Sequence, residues 1–281
     1  MYLRARTVSE ALEDLAAGES RILSGGTDFY PALVDHSLPQ IVLDISAVPE
    51  LAGIEITPSE IRIGAGTKWS AIADASLPPC FHALQEAAGD VGSIQIQNAG
   101  TIGGNLCNAS PAADGVPPLL ILDAEVEIAA AGAKRREPLS LFIRGNRRTS
   151  LRPSELMTAI IVPRSIERAP SKFLKLGARR YLVISIVMVA ACIAAGENGK
   201  VADARVAVGA CSAVACRLPA LERAIIGKEA RAGLGALVQP DHLTELSPIN
   251  DMRGTADYRL DAALQLIRDA VEACVCGNAD G

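Results

Sequence analysis

Residues 98–114, Asn-Ala-Gly-Thr-Ile-Gly-Gly-Asn-Leu-Cys-Asn-Ala-Ser-Pro-Ala-Ala-Asp, carry the densest signal in the chain. At their centre Thr101-Ile102-Gly103-Gly104-Asn105 pairs two glycines with a hydroxyl and an amide, and far upstream Ser24-Gly25-Gly26-Thr27-Asp28 likewise sets paired glycines beside hydroxyls. Adjacent glycines tolerate positive φ and leave no Cβ in the way, so successive N–H groups can converge on an anion such as a pyrophosphate. The first turn follows a strand at Arg21–Leu23 and precedes a short helix predicted over 29–34, where unsatisfied N–H groups add positive potential. A lone Gly-Gly pair reads first as a tight turn; two of them can cradle one dinucleotide. No GxGxxG opens a βαβ unit and no GxxxxGK[ST] is present, which leaves Rossmann and P-loop sites without support. Neither turn contains a lysine, so phosphate charge would fall to backbone dipoles and hydroxyls.

Working outward, Thr7 and Glu10 form a capping box ahead of Ala11, Leu12, Leu15 and Ala16, with Gly18 as the stop. A second strand over 41–45 completes a small α/β unit, 1–52. From Ile54 a hairpin follows, Ile54-Glu55-Ile56 and Ile61-Arg62-Ile63 about the turn 57–60, then helices from Thr67 and over 79–88. Strands at 126–128 and 157–162, with a turn at 132–135 between them, close a second α/β region, 53–165. The Arg-, Ser-, Glu- and Pro-containing stretch 164–171 reads as a linker. The last segment, 171–281, opens with strands at 173–176, 181–194 and 204–210 and ends in helices. In the final one, Leu260, Leu264, Ile267 and Val271 fall on one face.

Composition removes whole classes of function. The chain has 281 residues, 27 Lys+Arg against 32 Asp+Glu, and a net charge of −5, without the basic excess that nucleic acid or an anionic membrane demands. Aromatics are only 3%, too few for base-stacking platforms. The opening residues lack the apolar run of a secretory signal, and the longest uncharged run, 181–196, is too short for a bilayer span; the expectation is a cytoplasmic protein. Seven cysteines with no CxxC read as reduced, packed thiols, Cys107 included, with no metal site.

Residues 24–31, Ser-Gly-Gly-Thr-Asp-Phe-Tyr-Pro, together with 98–114 resemble the FAD-binding medium subunit of molybdenum hydroxylases, the xanthine dehydrogenase and carbon monoxide dehydrogenase family. Arg253-Gly254-Thr255-Ala256-Asp257-Tyr258-Arg259 resembles the RGSAEYR-type segment near that subunit's C-terminus, and Lys175 precedes Arg179-Arg180 by the spacing seen there. The likeness spans nearly the whole chain. It implies an α+β fold of the p-cresol methylhydroxylase type: two N-terminal α/β subdomains that hold FAD, and a C-terminal domain of antiparallel sheet and helices. By motif position it implies that Ile22, Leu23, Ser24, Gly25, Gly26, Thr27, Asp28 and Phe29 line the pyrophosphate and adenosine side. Thr101, Ile102, Gly103, Gly104 and Asn105 would form the second wall, Asp114 would accept from ribityl or ribose hydroxyls, and Met157 and Lys175 would approach the flavin ring. Many relatives have Leu where this chain has Met157. The residues themselves leave other roles open: Asp28 and Asp114 as helix caps, Lys175 as a solvated strand residue. His36, His82 and His242 fall outside every motif, so no covalent histidyl-flavin is expected.

No nucleophile–base pair is visible, and electron transfer is chemistry that a cofactor carries. The resemblance implies a relay: a large partner subunit with the molybdenum cofactor oxidises substrate, and a small partner with two-iron two-sulfur clusters passes electrons on. The FAD subunit then delivers them to NAD+, a quinone or another acceptor, in a dimer of heterotrimers. With only Cys80 and Cys107 in the middle region, the inserted four-iron cluster of some relatives is not expected. Two other readings stay open. A self-sufficient FAD-dependent oxidoreductase would need a pocket acid or base that no motif marks; a non-catalytic assembly protein that has lost FAD would not need intact glycine turns.

Overall fold

A computed structural model of the chain describes residues 1–33, 39–179 and 182–276; Val34, His36, Arg180 and Tyr181 lie outside the described residues. The chain divides into two compact units that alternate along the sequence. The first comprises Met1–Ile72, Ser93–Ala109 and Ala124–Arg164, the second Ala73–Gly92, Ser110–Asp123 and Ser165–Gly281.

In the first unit a three-stranded parallel sheet places Val42–Asp44 between Tyr2–Arg4 and Arg21–Leu23. Parallel neighbours need a crossover, and the helix Val8–Ala17 supplies it between the two outer strands, capped by the Thr7 hydroxyl accepting from the Glu10 N–H at 3.1 Å. Ala11 and Leu15 of that helix close over Leu43, with Ile45, Val48, Leu51 and Leu156 completing the cluster. Beside it runs a five-stranded antiparallel sheet in the order Ile54–Ile56, Glu60–Gly64, Leu156–Pro163, Glu125–Ala130, Ala133–Pro138. Its central strand is buried from Leu156 through Val162, which is why it reads as a continuous apolar run and not as an alternation.

The second unit is built on the antiparallel sheet Ser171–Leu176, Val187–Ala195, Val201–Gly209, Cys216–Arg217. The long helix Ala256–Cys276 buries Ala263, Ile267, Ala270 and Val271 in one core with Val187, Val189, Ala191 and Ile193; of the predicted face, Ile267 and Val271 are buried while Leu260 and Leu264 pack half-buried at its edge. Two helices from mid-sequence complete the unit. In His82–Asp90, Glu86 accepts from Lys172 Nζ at 2.5 Å and from the Phe173 N–H at 2.8 Å. In Val116–Ile121, Pro117 packs where a side chain at Gly209 would stand.

Several expectations shift. The predicted helix over 29–34 is a turn followed by a single 3-10 turn, Pro31–Leu33. The strand predicted over 181–194 starts only at Val187: Leu182 adopts φ 52°, the Arg179 Nε donates to its carbonyl at 3.0 Å, and Leu182 and Ile184 are exposed. An apolar run fixes neither period nor start, and this loop is closed by a guanidinium instead. The glycine turn expected at Thr101-Ile102-Gly103-Gly104-Asn105 is the start of a helix, Ile102–Asn108, and a second helix, Ile94–Ala99, precedes it, each begun by a hydroxyl cap, Thr101 and Ser93. Cys107 stands on the exposed face of Ile102–Asn108, not in packing.

The buried Arg259 ties the long helix to its sheet, donating to the carbonyls of Ile186 at 2.6 Å and Ala210 at 3.1 Å and to Asp251 Oδ1 at 2.8 Å. The Arg253 N–H, joined by the Arg259 guanidinium, holds the Asp251 carboxyl down at about 2. A depressed folded pKa stabilises above the unfolded value and loses that stabilisation as pH falls through the folded one. The stability advantage of wild type over Asp251→Asn, measured by denaturant unfolding, should therefore be full above about pH 5 and vanish toward about pH 2.

Candidate functional site

The carboxyl end of the parallel sheet feeds the first glycine turn directly, since Leu23 ends its strand opposite Asp44 and Ser24 begins the turn. Ligands collect at such strand ends because the chain splays there and leaves backbone donors open. Gly26 has φ +75°, a conformation that favours glycine. Gly25 is required by contact: a Cβ there would lie 2.2 Å from the Ala99 carbonyl oxygen. The two turns thus meet, and Ser24 Oγ lies 3.2 Å from Thr101 Oγ1.

The two turns differ in what their amides do. In the second, the four N–H groups after Thr101 are committed inside the unit: Ile102 to Thr67 O at 3.0 Å, Gly103 to Ala65 O at 2.8 Å, Gly104 to Thr101 Oγ1 at 3.1 Å, Asn105 to Thr101 O at 3.0 Å. In the first, the N–H groups of Gly25, Gly26, Thr27, Asp28 and Phe29 donate to no partner among the described residues. The anion-facing donors are therefore concentrated in residues 25–29. The second turn is the wall that holds them. A Cβ at Gly103 would meet Ala65 O at 2.6 Å, whereas one at Gly104 would meet only Thr101 Oγ1, at 2.8 Å, on an otherwise open face.

Asn105 Oδ1 is buried without a hydrogen-bond partner among the described residues, an arrangement that costs free energy unless a donor arrives. Asp28 does not cap with its side chain; its carbonyl accepts from the Ala32 N–H at 3.2 Å. The Phe29 ring stands edge-on to Tyr30 with centroids 5.4 Å apart and carries Arg21 at 5.2 Å. Ile22 is half-buried against the first unit's core, Leu23 is buried, and Ile102 is fully buried. Met157 is buried too, in the strand Leu156–Pro163 just before a register shift at Ala159.

Asp114 and Lys175 lie together in the second unit. Lys175 Nζ reaches Asp114 Oδ2 at 2.5 Å, and Ser185 Oγ donates to Oδ1 at 2.6 Å. Burial pushes the Asp114 carboxyl above the usual carboxylate range, opposed by the Lys175 charge and both hydrogen bonds. The helix Val116–Ile121 starts at Gly115 with no side-chain cap, so Asp114 is not its cap, and Lys175 is not solvated. One segment escaped sequence reasoning: Gly64-Ala65-Gly66-Thr67-Lys68. Its carbonyls anchor the second turn, and Lys68 forms a β-bridge with Thr101. A Gly-x-Gly-Thr immediately after an alternating strand was the available signal.

The FAD binding domain in molybdopterin dehydrogenase matches residues 1–165, and the CO dehydrogenase flavoprotein C-terminal domain matches 172–274. The chain belongs to this family of FAD-binding subunits. The 6-hydroxypseudooxynicotine dehydrogenase complex subunit alpha of Paenarthrobacter nicotinovorans is 31% identical over 275 residues, 96% of this chain and 91% of that one. The nicotinate dehydrogenase FAD-subunit of Eubacterium barkeri is 37% identical over 171 residues, 59% of this chain and 58% of that relative, so the match spans a little over half of its length. The carbon monoxide dehydrogenase structure from Hydrogenophaga pseudoflava superposes with TM-score 0.87 at 26% identity, covering 97% of this chain and 96% of that one. This family member is thus an FAD-binding oxidoreductase subunit of the molybdenum hydroxylase type, and the α+β fold is the expected one. The unspent amides of 25–29 and the unpartnered Asn105 Oδ1 fit such a cofactor.

Gly103→Ala should lower thermal stability through its clash with Ala65, whereas Gly104→Val should leave a folded chain that no longer retains flavin, read by melting temperature and flavin absorbance. Lys175→Met leaves a buried carboxylate uncompensated and should cost roughly 3 kcal/mol in chemical denaturation, part of which Asp114→Asn in the same chain restores.

Proposed function

We propose that this chain is the electron-transfer flavin subunit of a molybdenum hydroxylase complex. It accepts electrons from two-iron two-sulfur clusters of a small partner subunit and passes them to NAD+, a quinone or another acceptor. The observation that carries the reading is the joined pair of glycine turns, one with its amides open and the other with the amides of Ile102 to Asn105 spent. FAD, when bound, supplies the redox chemistry that the chain's own side chains lack.

The chain's part is to bind and orient. The N–H groups of Gly25, Gly26, Thr27, Asp28 and Phe29, at the end of a parallel sheet, offer fixed dipoles to a diphosphate without reorganising. Ser24 and Thr101 set the spacing of the two walls, and Asn105 Oδ1 accepts one hydrogen bond from a hydroxyl or amine of the cofactor. Motif position assigns Asp114 and Lys175 to the ribityl and ring portions. Asp114 retains acceptor lone pairs beyond those used by Lys175 and Ser185, so it can bind a sugar hydroxyl while staying paired. Met157, buried within its strand, would meet the ring through main chain or packing. Residues 1–52 and 53–165 act in this reading as the two FAD-binding subdomains and 171–281 as the C-terminal domain.

The molybdenum cofactor belongs in this reading to a large partner subunit that oxidises the organic substrate, within a cytoplasmic dimer of heterotrimers. Relatives described as a medium chain of carbon monoxide dehydrogenase or as one subunit of a dehydrogenase complex support that division of labour. No described helix is long and apolar enough to cross a membrane.

Co-expression with its genetic neighbours tests the assignment. The expected product is a yellow complex that co-elutes with one larger and one smaller subunit and whose flavin absorbance bleaches on adding substrate only when the small subunit is present. A colourless chain that takes up no FAD, or one that reduces its flavin with an organic substrate alone, would overturn it.

A further inference from the structure

We infer that Lys68 is the cation that balances the diphosphate charge at the first glycine turn, a role that rests on the reading of this unit as the FAD-binding one. Five amide dipoles can orient a diphosphate but carry no net charge, and neither glycine turn contains a lysine or arginine. Lys68 arrives from a third segment. Its backbone bridges to Thr101 and the next residue, Trp69, donates its N–H to Gly100 O at 3.3 Å. Its Nζ donates to Ala99 O at 2.7 Å, the same carbonyl oxygen that presses on Gly25. The ammonium therefore sits one carbonyl away from the turn whose amides are open.

Its electrical surroundings are those of a cation awaiting an anion. The side chain is half-buried and forms no ion pair among the described residues, and that carbonyl is its one hydrogen-bond partner there, leaving two N–H donors. Burial lowers its pKa, and Asp44, the one acid that opposes the shift, is itself engaged by the Tyr2 hydroxyl, the Ser46 N–H at 2.8 Å and Arg4 at 3.5 Å. Arg21, in the strand that leads into this turn, is exposed and lies on the Phe29 ring at 5.2 Å. A purely structural role is the alternative: Ala99 ends a helix, and a lysine there meets the carbonyl end favourably. Charge on the ligand separates the two.

The test uses the full chain stripped of flavin and titrated with FAD at increasing KCl, read by quenching of flavin fluorescence, with riboflavin, which has no phosphate, as the comparison. Wild type should bind FAD more weakly as salt rises. Lys68→Gln, which keeps a donor for Ala99 O, and Lys68→Met should both raise the FAD Kd roughly thirtyfold or more and flatten its salt dependence. Lys68→Arg should keep both, and riboflavin affinity should be unmoved by any of the three. A Lys68→Gln chain with wild-type FAD affinity and salt slope overturns the inference while leaving the FAD reading intact. Equal weakening of FAD and riboflavin with the slope preserved assigns Lys68 to structure alone and also overturns it, as does loss of the slope in Arg21→Met. A wild-type chain that binds no FAD removes the underlying reading instead.

Discussion

The backbone at Gly25 lies so close to the Ala99 carbonyl that no side chain could stand between them. From that contact the rest of the first unit takes its geometry. It brings the end of a parallel sheet against the end of a short helix, sets two hydroxyls side by side, and directs a lysine to the shared carbonyl. Close packing of main chain on main chain is stiff because neither partner has a rotamer to yield, so the two turns hold their spacing without a ligand between them. Preorganisation of this kind lowers the cost of ordering when a cofactor binds.

Division of labour between the turns follows from where their amides point. The helix Ile102–Asn108 spends its first N–H groups on Thr67, Ala65 and Thr101, which makes it a rigid wall with nothing left to offer an anion. The preceding turn has the opposite character. The second unit uses buried charge differently: the Asp114–Lys175 pair and the Arg259 anchor each draw on a second residue or a carbonyl to complete their shells, so each fixes one arrangement of its neighbours.

Much of this was legible in the amino-acid order. The Ser-Gly-Gly-Thr-Asp and Thr-Ile-Gly-Gly-Asn segments stand out because each sets paired glycines beside hydroxyls, and the fold brings the two together, with Ser24 Oγ 3.2 Å from Thr101 Oγ1. The hairpin at Ile54 and Ile61 and the helical face of Leu260, Leu264, Ile267 and Val271 followed from period alone. What stayed hidden depended on distant partners. The helix Ile94–Ala99 is short and weak in propensity and is held by the Ser93 cap and by Lys68, neither of which local pattern reveals. The late start of the strand at Val187 depends on an arginine reaching a carbonyl, and the reach of Lys68 to Ala99 O spans residues that no local pattern links. The pairing of Asp114 with Lys175 joins positions with no shared periodicity at all.

The alternation of the two units along the chain has a bearing on biogenesis. Helices His82–Asp90 and Val116–Ile121 leave the ribosome well before the strands that cover them have been made, Ser171–Leu176 for the first and Val187–Ala195 with Val201–Gly209 for the second. For that interval their apolar sides, including Leu84, Leu119 and Ile121, have no cover of their own. A fragment ending at the linker would carry the same exposed surfaces permanently, which makes it a poor candidate for isolation and gives nascent chains a window in which a chaperone or a partner can bind.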